Sequence, residues 1–159
     1  MSDPLLIRRA RRDEAAALSD LAMRAKAHWG YDDAFMEMCR DELTIHPERI
    51  ETGEVWVAER DGAAIGLLEV RFEEDGEAEV QHCFVDPSAM ASGIGRRLWA
   101  KAEDIARAAG VAAIGVDSDP NAEGFYQAMG AVTVARSPSG SIPGRTLPRL
   151  RKRLAPSAA

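Results

Sequence analysis

The chain has 159 residues, 46% of them apolar and 29% charged, which describes one ordinary globular domain with a real hydrophobic core. No apolar run is long enough to span a membrane, and the N-terminal MSDPLLIRRARR lacks the apolar stretch of a signal peptide, so a cytoplasmic location is expected. The formal charge is −6, but residues 1–123 hold 14 basic and 26 acidic side chains, a net of −12, and this acidic body argues against a general nucleic-acid binder.

The elements follow in chain order. Leu5, Leu6, Ile7 and Arg8 after Pro4 form a short first strand. Asp13 is a plausible N-cap, and Ala17, Leu18, Leu21, Ala22 and Ala25 recur at helical spacing behind it. His28, Trp29, Gly30 and Tyr31 break that helix, and Asp32 or Asp33 caps a second one carrying Phe35, Met36, Cys39 and Leu43. Pro47 opens a turn or a short helical segment. Strands at 55–58 and 63–72 flank Asp61-Gly62, a two-residue hairpin signal, and Asp75-Gly76 turns into a third strand at 77–85. A long helix runs over 93–109 and ends at Gly110, a C′ glycine. A buried strand at 112–116, a short helix at 122–129 and a strand at 131–135 follow. The loop 138–144 leads to a last strand at 146–154, which Pro148 demotes to a sheet edge. The order β-α-α-β-β-β-α-β-α-β-β implies an α/β (α+β) domain over 1–154, with a mixed sheet, helices on both faces and a frayed tail at 155–159. Cys39 and Cys83 have no metal-ligand spacing, so reduced thiols and no metal are expected.

The chemistry concentrates after the third strand. Cys83, Phe84 and Val85 run into Asp86-Pro87, a loop of small residues, and a helix that opens at Gly93-Ile94-Gly95. Glycines at such a turn let the backbone approach a phosphate, and the free N–H groups of a helix start favour its charge. A later segment carries Asn121, Phe125, Tyr126 and Gly130. This ordered set resembles the GCN5-related N-acetyltransferase (GNAT) family over nearly the whole chain. The pairing of Asp-Pro-Asn-Ala-Glu-Gly-Phe-Tyr with Ser-Gly-Ser-Ile-Pro-Gly-Arg is similar to a bacterial subgroup of unassigned substrate.

The resemblance implies the GNAT fold, with a mostly antiparallel sheet and acetyl-CoA as co-substrate. Ala91, Ser92, Gly93, Ile94, Gly95, Arg96 and Arg97 would hold the pyrophosphate. Met90 and Ala91 depart from the family pattern, which favours Arg or Gln and Gly there. Cys83, Phe84 and Val85 would pair with the pantetheine arm, and Asn121 would bond it or cap its own helix. Tyr126 would protonate the departing thiolate. Glu79 stands where histone-type members keep a base, although an exposed strand glutamate is as good a reading. His82 is the second candidate, ranked lower. Strict alternation sends Glu79 and His82 to opposite faces unless the strand bulges. Trp29, Tyr31 and Phe35 would meet the acceptor, or pack in the core. The implied reaction is direct transfer to a primary amine of a small molecule or peptide, by a monomer or homodimer without nucleic-acid or membrane partners. An acyl-CoA sensor, or an enzyme acting on a protein or tRNA-borne amine, are the alternatives.

Overall fold

The computed structural model describes residues 5–155. Seven strands form one sheet: β1 (Leu6–Arg9), β2 (Glu54–Arg60), β3 (Ala63–Phe72), β4 (Ala78–Val85), β5 (Ala113–Asp117), β6 (Val132–Pro138) and β7 (Thr146–Arg153). Their order is β1-β2-β3-β4-β5-β7-β6, and only β4–β5 is parallel. Five helices complete the fold: α1 (Ala15–Ala27), α2 (Asp33–Cys39), α3 (Pro47–Thr52), α4 (Ile94–Ala108) and α5 (Glu123–Ala128). The tail expected to fray lies outside the described residues, apart from Ala155.

Local chemistry fixes most boundaries. Asp32 caps α2, its carboxylate accepting from the Phe35 amide at 2.8 Å. Asp61 (φ 53°) and Gly62 (φ 77°) both take positive φ, the requirement of a type I′ hairpin whose twist matches its strands. Gly110 (φ 76°) ends α4, and the Val111 amide reaches back to the Ala106 carbonyl at 3.2 Å. At the start of α1 a 3-10 turn over Arg12–Glu14 takes the place of an Asp13 cap. Glu14 accepts from the Arg11 amide and is clamped by Arg8, which supplies the order that the cap would have given.

Two cores lie on opposite faces of the sheet. One joins α4 and α5 to Leu68, Val70, Val80 and Leu150. The other joins α1, α2 and α3 to Val55, Val57 and Leu67. Helix α4 sits so close to β3 that a methyl on Gly66 would lie 3.0 Å from the Leu98 side chain.

The last strand departs from expectation. β7 is interior, between β5 and β6, in spite of Pro148. The Pro148 carbonyl accepts from the Ser118 amide at 2.9 Å, just past the end of β5. The N–H that proline lacks would point the same way, where the β5 ladder has already ended. An internal strand therefore tolerates the proline.

β4 carries the feature that matters most. Its pairing with β3 shifts between Glu69 and Val70: Val80 faces Val70, His82 faces Glu69, and Gln81 is the extra residue. A bulge bends its strand. β4 pairs with β5 only at Ala78, Glu79 and Val80, so the two strands part where the bulge begins.

Candidate active site

The parting of β4 from β5 opens a cleft of about 470 Å³, and residues from both ends of the chain line it. Residues 82–85 stay paired with β3 but have no strand partner on their other side among the described residues, so alternate backbone N–H and C=O groups face the cleft.

At one end lies the start of α4. Gly93 caps the helix in the left-handed region (φ 82°), with nothing within 4 Å of the position a Cβ would take. The first intrahelical bond runs from Arg97 N to Gly93 O, so the Ile94, Gly95 and Arg96 amides remain available. These three residues, Ala91 and Gly93 all line the cleft. Ala91 also has positive φ (63°), in a place where glycine costs nothing and alanine costs about 1–2 kcal/mol. Gly95 is needed for packing instead. A methyl there would meet the Phe125 ring at 3.2 Å, so its absence lets α5 close against α4. Two expected members stand apart. Ser92 turns its hydroxyl to the Ala89 carbonyl, and Arg97 reaches the Leu5 carbonyl at 3.4 Å.

Midway along the cleft the strand faces alternate. Cys83 and Val85 point to the α4–α5 side, Phe84 to the α1–α2 side. Tyr126 sits opposite Cys83, packed edge-on against Trp99 at 5.5 Å and Phe125 at 5.1 Å. Burial, and then the neighbouring Cys83, push the Tyr126 hydroxyl well above its ordinary range, so it keeps its proton. Burial likewise pushes the Cys83 thiol up to about 12, which leaves it a poor nucleophile at neutral pH.

The bulge puts Glu79 and His82 on the same face, because Glu79 lies opposite Arg71 and His82 opposite Glu69. Their surroundings differ. His82 lines the cleft. Burial drives its pKa down to about 4 against the pull of the Glu69 carboxylate, 3.8 Å away, so it is neutral at pH 7. Glu69 is fixed by Arg49 and Arg71 at 3.1 and 2.8 Å. Glu79 lies outside the cleft lining, and its carboxylate is held by Arg149. Gly115 between them leaves the room: a Cβ there would come within 2.5 Å of the guanidinium. Burial of Glu79 outweighs that cation and raises its pKa.

The far end is built by loops. Trp29 lines it. Tyr31 and Phe35 do not; they stack at 4.1 Å behind Lys26 and Arg145. Asp119 ties this wall together, accepting from Lys26 at 3.0 Å, Tyr31 at 2.8 Å, and the amide and side chain of Asn121 at 2.8 Å each. Burial raises the Asp119 pKa, but these donors outweigh it and hold the carboxyl below its ordinary value. Asn121 lines the cleft with its amide already engaged. Lys26, Glu42, Asp119 and Arg145 were not named as site residues from the sequence. The signals were the motif that opens at Asp119 and the Gly/Pro/Ser-rich loop that ends at Arg145. Among the described residues no group of three His, Cys, Asp or Glu side chains is arranged for a metal, and no helix is long and apolar enough to cross a membrane.

Comparison with known proteins agrees with this geometry. Residues 15–131 match the model of the acetyltransferase (GNAT) family. The chain belongs to the GNAT family. An IAA acetyltransferase of Azospirillum brasilense is 41% identical over 73 residues, which are 45% of this chain and 44% of that protein. The match thus spans under half the length of the curated relative. Among solved structures, a GCN5-related N-acetyltransferase (aminotransferase, class-II) from Rhodopseudomonas palustris aligns over 97% of this chain and 98% of its own, with a TM-score of 0.79 at 19% identity. PaiA N-acetyltransferase from Thermoplasma acidophilum, in complex with coenzyme A, aligns over 96% and 100%, with a TM-score of 0.76 at 17% identity. YncA from Salmonella typhimurium, solved with acetyl-CoA, aligns over 99% and 98%, with a TM-score of 0.69 at 20% identity. At these identities the structures speak for the fold. The GNAT acetyltransferase assignment rests on the family match.

Proposed function

We propose that this GNAT acetyltransferase moves the acetyl group of acetyl-CoA onto a primary amine by direct attack. One observation carries the reading: a single cleft joins a glycine-opened helix start, an unpaired strand edge and a protonated tyrosine. In this reading the free amides at the start of α4 hold the pyrophosphate. The open edge of residues 82–85 pairs with the amides of the pantetheine arm and polarises the thioester carbonyl.

The amine must arrive neutral, because a protonated one has no lone pair to give. Its lone pair forms the C–N bond, the C–S bond breaks, and Tyr126 gives its proton to the departing thiolate. The nitrogen's surplus proton passes to His82 or to water, and the net proton count is unchanged. His82 takes precedence over Glu79 here because it lines the cleft, whereas Glu79 is bound to Arg149. With a pKa of about 4, His82 receives a proton only from the strongly acidic nitrogen of the tetrahedral adduct. The rate should therefore follow the pKa of the amine itself. We further propose a cytoplasmic protein that takes a small-molecule or peptide amine, works without metal and does not bind nucleic acid.

The test is calorimetric titration with acetyl-CoA, followed by thiol release against a panel of amines. Binding and amine-dependent release are expected. Binding without release from any amine is the behaviour of an acyl-CoA sensor and would replace this reading.

A further inference from the structure

The arginines of the protein are unequally satisfied. Arg8 and Arg145 are about equally enclosed, with side chains 17% and 19% exposed. Arg8 grips Glu14 at 2.9 Å and Glu59 at 3.0 Å. Arg149 and Arg151, more exposed, each hold a glutamate by direct hydrogen bonds. Arg145 does not hold a carboxylate in this way. Its Nη2 donates to the neutral Tyr31 hydroxyl at 2.7 Å, and its nearest carboxylate, Asp119, is 3.8 Å away. That carboxylate is already saturated by Lys26, Tyr31 and Asn121. Among the described residues the Nε and Nη1 of Arg145 have no hydrogen-bond partner.

Stacking, with only a long ion pair to Asp119 at 3.8 Å, fixes the guanidinium. It lies 5.1 Å from the Tyr31 ring centroid and 4.9 Å from that of Phe35. Arg145 lines the cleft, and its Nε and Nη1 are not spent on a protein partner among the described residues. A guanidinium held this way presents a preorganised fork for a planar anion. Glu42 also lines the cleft and accepts from Ser141 of the loop that carries Arg145. Glu42 lies near enough to His82 to act on its charge. The acceptor end thus offers a cation with a free fork and, beside the proton-receiving histidine, a carboxylate.

Resting on the transfer reading above, we propose that the acceptor is an amine that also carries a carboxylate, of amino-acid type. Arg145 takes the carboxylate through its free edge. Glu42 draws the ammonium toward His82, where it loses its proton to water and attacks.

The experiment compares matched acceptors: a set of amino acids, the corresponding primary amides, and aminoalkylphosphonates. The readout is kcat/KM from thiol release in wild type, Arg145→Gln and Arg145→Lys. A charge-assisted hydrogen bond to a carboxylate should favour acid over amide by about tenfold or more. That ratio should fall toward one in Arg145→Gln and lie between in Arg145→Lys, which keeps the charge without the fork. A second readout needs no turnover: binding of N-acetyl amino acids against their amides, followed by isothermal titration calorimetry. Equal use of acid and amide, an acid preference that survives Arg145→Gln, or a phosphonate preferred over the carboxylate would each overturn the proposal. Acid-selective binding that needs Arg145, in a protein that releases no thiol with any amine, would uphold the carboxylate site while removing the transfer reading.

Discussion

The two ends of the cleft are built from different materials. The end proposed for the cofactor is backbone: a helix start, a positive-φ loop and an unpaired strand edge. The end proposed for the acceptor is side chains, drawn together from the α1–α2 loop, the β5–α5 turn and the β6–β7 loop. Backbone recognition tolerates sequence change as long as the conformation survives. A side-chain network does not, because each charge is satisfied by a particular partner. On the proposed reading, the difference lets a chain keep a common cofactor grip and carry an acceptor site of its own.

Acid should break the acceptor end first. The pKa of His82 is depressed from 6.5 to about 4 by burial, with Glu69, Arg71 and Glu42 around it. Between those values the unfolded chain binds a proton that the native chain refuses. Stability from this group is therefore full above pH 6.5 and is lost as pH falls toward 4, on the order of 3 kcal/mol in all. Denaturant midpoints at pH 7 and 4.5 measure the loss. His82→Gln should flatten that slope, and an unchanged slope would mean that the imidazole is not the group refusing the proton.

Tyr126 tests the cofactor end. Tyr126→Phe keeps the ring packing on Trp99 and removes the proton, and should lower kcat by about a hundredfold while leaving acetyl-CoA affinity nearly unchanged. Single-turnover thiol release checks the first, calorimetry the second. Wild-type turnover would return Tyr126 to a packing role.

Glu79 separates the cleft from its support. Glu79→Gln should cost about 1–3 kcal/mol, because it leaves the Arg149 guanidinium short of its main partner. Turnover should stay within about twofold. A large rate loss with unchanged stability would bring Glu79 back as the proton acceptor.

The smallest effect concerns Ala91. Ala91→Gly relieves a left-handed alanine but adds freedom to the unfolded chain, for a net gain of about 0.5 kcal/mol. Thermal melts with and without acetyl-CoA check it. The gain should appear in both, since the loop already has its shape without ligand.

Legibility in the sequence follows the same division. The helix start was readable from Gly93 and Gly95, and the hairpin from Asp61-Gly62, because backbone conformation is written locally in glycines. The core of β5 and the amphipathic α4 were readable from periodicity. Pro148 misled, because proline forbids one N–H and the sequence does not say which neighbour would have received it. Asp119 and Arg145 were not readable as partners, since they lie in separate loops and Tyr31 joins them from the other half of the chain. Nor was the site of the Gln81 bulge, because alternation alone puts Glu79 and His82 on opposite faces.

That bulge has a consequence for how the sequence tolerates length changes. Removing Gln81 would leave Val80 opposite Val70 and His82 opposite Glu69, so every side chain of β4 would keep its face. What would go is the bend, and with it the reason for β4 to leave β5 after Val80. A single in-frame codon loss could therefore yield a chain that folds with both cores intact and a seamless sheet, with no slot for a ligand. Side-chain orientation and the slot itself are encoded by different residues of one strand.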